Sequence, residues 1–145
     1  MLSYLATRIW AMEIVQNILV LLHLIGMAMI VGGYLVTVKA PRVLPGMLHA
    51  AGLQVVTGIL LFGMLEMQGN PTMSLRAGAG IKILLGLVAL IVFIIGNKRE
   101  KAAAPAAGAD VAADGAVKTA APSATMAHIG FGAAVLAVLV AVFTL

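Results

Sequence analysis

Few side chains in this sequence can do chemistry, and they sit inside or at the ends of long apolar runs. The three histidines are His23, His49 and His128, and Lys82 is a cation within an apolar stretch. An ionisable group at membrane depth is costly and normally faces protein or a wet cavity, so each marks a candidate site. Two imidazoles on neighbouring helices at one depth can supply both axial ligands of a b-type haem. His49 and His128 match in that way, lying about five and about three residues from their helix ends at about 1.5 Å of rise per residue. His23, about ten residues from the opposite end of its helix, and Lys82, about five, share the other half of the bilayer and can meet propionates or a second cofactor. Met64, Met67 and Met73 form a second set, whose thioethers suit Cu(I). Against these stand plainer roles: a neutral imidazole as packing glue, methionine as gap filler, and a lysine whose stem snorkels to the interface.

Other chemistries are poorly supplied. With no cysteine in the chain, neither a disulfide nor a thiolate metal site nor an iron–sulfur cluster can be built from it alone. No nucleophile triad, phosphate loop, pair of intramembrane carboxylates or HExxH pattern occurs, so hydrolysis and phosphoryl transfer have no support and no catalytic residue is assigned.

The elements that must position these groups are membrane helices. Of 145 residues, 63% are hydrophobic and 10% charged, with a mean hydropathy of +1.14, whereas a soluble domain carries about 25% charged residues. The net charge of +4 lies mainly at the ends of apolar runs, so it signals topology and not nucleic-acid binding. Residues 1–12, with Tyr4, Arg8 and Trp10, suit an interfacial N-terminal segment with an aromatic anchor. A three-helix membrane core over 13–101 follows, with helices expected near 13–38, 44–67 and 77–97. Residues 102–124 are rich in Ala, Pro and Gly and read as a flexible linker. A fourth transmembrane helix covers 125–145. The expected fold is therefore an all-α, up-down four-helix bundle in the cell membrane, multi-pass. Lys39, Arg42, Lys98, Arg99, Lys101 and Lys118 outnumber Arg8, Arg76 and Lys82 on the other side, which puts both termini on one, non-cytoplasmic, side.

Helical spacing suggests which stripes face protein. Gln16, His23, Gly26, Gly33 and Thr37 align on the first helix, and His49, Gly52, Val56 and Gly63 on the second, with Gln54 pointing elsewhere. Lys82, Gly86, Ala89 and Gly96 align on the third, and Ala124, His128 and Gly132 on the fourth. Each helix would bring a basic group to a seam of small residues, the kind that packs helix on helix.

Several of these residues resemble known families. His23 followed by Gly32-Gly33, then Pro41-Arg42, Gln54-Val-Val-Thr-Gly58, Gly80-Ile-Lys82-Ile-Leu-Leu-Gly86 and Gly96-Asn-Lys-Arg99 resemble the membrane core of copper-resistance-D-like proteins. A first-helix histidine and third-helix lysine in this order are also similar to the haem-associated HemJ-type protoporphyrinogen oxidases, although Val31 stands where a tryptophan commonly precedes the double glycine. The resemblance covers roughly residues 20–100 and implies a small redox-linked bundle that handles haem or copper, with His23 and Lys82 at matched positions. The leading expectation is a b-type haem protein acting in electron transfer or haem handling. The alternatives are a non-catalytic accessory subunit of a larger membrane complex and a copper uptake or resistance protein. The expected partners are the lipid bilayer and either other membrane subunits or a second copy of the chain.

Overall fold

The computed structural model describes residues 2–69, 71–107 and 121–144. It is an all-α bundle of four helices, α1 (Leu2–Val36), α2 (Pro45–Met67), α3 (Met73–Ala107) and α4 (Ala124–Phe143). Each contains an apolar stretch of at least 20 residues, long enough to cross a hydrocarbon core of about 30 Å. This is a multi-pass integral membrane protein.

Three boundaries differ from the sequence expectation, among them the start of α3, at Met73 and not near 77. Helix α1 begins at Leu2 and not near Glu13, because no Gly or Pro separates residues 2–12 from the apolar run and nothing there breaks the helix. The anchor side chains of Tyr4 and Arg8 lie outside the described residues. Helix α3 runs on through Lys98-Arg-Glu-Lys101 to Ala107, since Lys, Arg, Glu and Ala are all strong helix formers. The first part of the expected linker, residues 102–107, is thus helical, and its middle, residues 108–120 with Lys118, lies outside the described residues, as does Asn70.

The turns follow local chemistry. Thr37 Oγ1 donates to the Gly33 carbonyl at 3.0 Å as α1 ends, and Leu44 is extended before Pro45 at the first position of α2, where a missing N–H costs nothing. At the far end of α2, Gly69 adopts φ +87°, a left-handed conformation that suits glycine, and its N–H donates to the Glu66 carbonyl at 3.4 Å. The ion pair Arg76–Glu66, 2.9 Å, ties the start of α3 to the end of α2.

The helices form a ring in which α3–α4 and α1–α2 are the extensive seams, α2–α3 is intermediate and α1–α4 is the sparsest. With lipid as solvent there is little hydrophobic gain between helices, so close contact of small residues must hold them together. Phe93 of α3 is wholly buried and lies directly over Gly130 of α4, Met47 packs on Gly33, and Val43 and Met126 pack on Gly96. At the loop end Ser123, also wholly buried, accepts the Val43 N–H at 2.8 Å and donates to Glu100. One hydroxyl thereby joins the α1–α2 turn, the polar end of α3 and the start of α4.

Candidate functional site

The half of the bundle away from that hydroxyl contains a cavity of about 520 Å³ walled by all four helices. Its lining is mostly Leu, Val and Ala, and its polar groups are Gln16 and His23 from α1, Gln54 and Gln68 from α2, and Lys82 from α3. Among the described residues lining it, Lys82 is the one charged group and no carboxylate is present. The lined stretch of α1, Gln16 to Ile30, is about 21 Å long at about 1.5 Å per residue. A pocket of this size with few polar groups on apolar walls has the make-up of a small-molecule site.

His23 is held by two side chains of α2. Gln54 Nε2 lies 2.9 Å from His23 Nε2, and Thr57 Oγ1 lies 2.9 Å from His23 Nδ1. An amide nitrogen only donates, so Nε2 accepts and the ring proton sits on Nδ1. That proton goes to Thr57 Oγ1, whose own hydroxyl donates to the Leu53 carbonyl at 2.7 Å. The Thr57 hydroxyl also lies 3.3 Å from the Gln54 carbonyl. Gln54 Oε1, by contrast, is buried without a hydrogen-bond partner. It sits over Gly26, where a Cβ would come within 2.7 Å of it. Such an orphan costs about 1–3 kcal/mol. At the end of the cavity nearest the α2–α3 turn, Gln68 Nε2 donates to Gln16 Oε1 at 2.9 Å, closing α1 onto the last turn of α2.

His23 and Lys82, expected in one half of the bilayer, line this one cavity. His49 and His128 are not drawn into it. His49 is exposed and its Nδ1 donates to the Pro45 carbonyl of its own helix at 2.8 Å, while α2 and α4 make no contact among the described residues. His128 is exposed and its Nδ1 is hydrogen-bonded to the Tyr34 hydroxyl at 2.7 Å, with Tyr34 stacked on Phe131 at a centroid distance of 4.1 Å.

The stripe assignments for α2 and α4 are corrected accordingly. The inward face of α2 is Met47, Ala50, Ala51, Gln54 and Thr57, whereas a Cβ at Gly52 or Gly63 would meet nothing within 4 Å. On α4 the buried residues are Ala127, Gly130, Ala133 and Ala134, and Gly132 is open. The α1 and α3 stripes face inward, with Gly26, Ala89 and Gly96 buried. Of the methionines, Met64 and Met67 share a shallow groove with Met12, and Met73 is 81% exposed. Among the described residues no cluster of three His, Asp or Glu side chains could hold a metal.

Sequence reasoning missed Gln54 and Thr57 as partners of His23. Their signal was present, as two hydrogen-bonding side chains three apart in an apolar helix share one face. Comparison with family models, with curated proteins and with solved structures gives no match.

Proposed function

We propose that this chain is a membrane-embedded binding protein that takes one apolar molecule with a polar head into the cavity between its four helices. The observation that carries this reading is the cavity itself, about 520 Å³, within the range of about 300–1,000 Å³ of small-molecule sites. His23, Gln54 and Lys82 offer the polar contacts on its wall, and the alanines of α4 leave room for the body of the ligand. The test is saturable one-to-one binding of an uncharged, environment-sensitive apolar probe by the purified protein in lipid nanodiscs, abolished by filling the cavity with Ala137→Trp. Failure of the wild type to bind any apolar probe above empty nanodiscs overturns the reading.

A b-type haem is a second, narrower reading, favoured by the presence of an imidazole on the cavity wall. His23 is the candidate axial ligand and Lys82 the partner of a propionate. Bound haem supplies one-electron chemistry. The residues fit a single axial imidazole and not a pair, because His49 and His128 bond elsewhere, away from the cavity. The lone pair on His23 Nε2 is engaged by Gln54, so ligation requires that amide to swing aside. An oxidised-minus-reduced spectrum tests this, with a Soret band expected in wild type and lost in His23→Ala. Copper handling would rest on Met12, Met64 and Met67 without Met73, and an accessory-subunit role on the exposed apolar faces. Neither has a second observation in its favour.

A further inference from the structure

We infer that the polar head of the cavity's ligand is a carboxylate and that Lys82 is its counter-ion. This rests on the reading of the cavity as a binding site and adds the charge class of what it binds. The argument is a charge census. Among the described residues lining the cavity, Lys82 is cationic and none is acidic. Among the described residues, Glu66 pairs with Arg76 at 2.9 Å, Glu100 accepts from Ser123 at the other end of the bundle, and Glu13 is exposed and not part of the cavity lining.

Lys82 is half-buried among mostly apolar lining residues, and an ammonium at membrane depth is favoured by a nearby anion. His23 cannot compensate, because an imidazole carries no negative charge and its hydrogen bonds go to Gln54 and Thr57. An anion brought in by the ligand supplies the missing charge and accepts up to three N–H donors. Ala133, Ala137 and Ala141 recur every four residues along the wall contributed by α4, giving an apolar tail a smooth groove beside the lysine.

Carboxylates on apolar bodies come from two sources, single-chain fatty acids and haem. The experiment measures binding of a fluorescent polyene fatty acid and of its uncharged alcohol to wild type, Lys82→Met and Lys82→Arg in nanodiscs, then adds haem as a competitor. Wild type is expected to prefer the acid by roughly tenfold, the gain typical of one charge-assisted contact. Lys82→Met should lose that preference but keep its affinity for the alcohol, and Lys82→Arg should restore it. Displacement of the acid by haem with a Soret band identifies haem as the carboxylate, and an acid that haem does not displace identifies a single-chain lipid. Equal binding of acid and alcohol by wild type, or a preference that survives in Lys82→Met, overturns the carboxylate while leaving the cavity reading intact. Absence of binding by either probe overturns both.

Discussion

At the residue scale, His23 illustrates how little a membrane hydrogen bond contributes and how much an unmet one costs. Interhelical hydrogen bonds in lipid average about 0.6 kcal/mol by double-mutant cycles. Thr57→Val, which deletes the acceptor of His23 Nδ1–H, should therefore lower stability by only about 1 kcal/mol in mixed-micelle denaturation. Gln54→Leu should be near neutral, since it removes the orphaned Oε1 along with the bond to Nε2. A loss well above about 2 kcal/mol would mean that the amide is satisfied in a way the geometry lacks. Gly26→Ala forces the same amide to move, because its Cβ would lie 2.7 Å from Oε1 and 3.3 Å from the Ala50 carbonyl. It should shift apolar-probe affinity more than it shifts stability. His23 was legible because an imidazole inside an apolar run cannot hide. Its partners were not, because aligning α2 on His49 turns the shared face of Gln54 and Thr57 away from the seam.

At the element scale, the helices were readable and their rotation only half so. Length and hydropathy fix four spans, and α1 and α3 turn their small-residue stripes inward as spacing suggests. On α2 and α4 the polar marker misled, since His49 and His128 are exposed near helix ends, where the Pro45 carbonyl and the Tyr34 hydroxyl engage them outside the bundle interior. Alanine and glycine occur on several faces of both helices, so composition could not correct the error. A paired substitution on α4 checks the observed rotation. Gly130→Leu must displace the buried ring of Phe93 and should cost more than about 3 kcal/mol or prevent folding, beyond the usual range of about 1–3 kcal/mol for overpacking. Gly132→Leu meets nothing within 4 Å and should be tolerated. Ser123→Ala, which strands the Val43 N–H and removes a donor from Glu100, should cost about 1–3 kcal/mol. Denaturation in mixed micelles, followed by the loss of helical circular dichroism, would register that loss.

At the scale of the molecule, up-down connectivity puts the start of α1, the end of α2, the start of α3 and the end of α4 at one end of the bundle. Gln68 against Gln16 and Thr144 against Gly78 mark that level. The absence of cysteine from the chain makes this easy to test. Single cysteines at Met73, 81% exposed, and at exposed Lys101 should react with an impermeant maleimide from opposite faces of sealed vesicles. Labelling of both from one face would refute the topology. The sparse α1–α4 seam carries a further consequence. Beyond the ring contacts of Tyr34 with Phe131 and His128, this seam runs along the apolar spans of α1 and α4, at a depth where the solvent is lipid and not water. A guest that arrives through it is drawn from a two-dimensional solvent, so occupancy tracks its mole fraction in the bilayer. Adding empty lipid at constant total guest should then unload the protein by surface dilution.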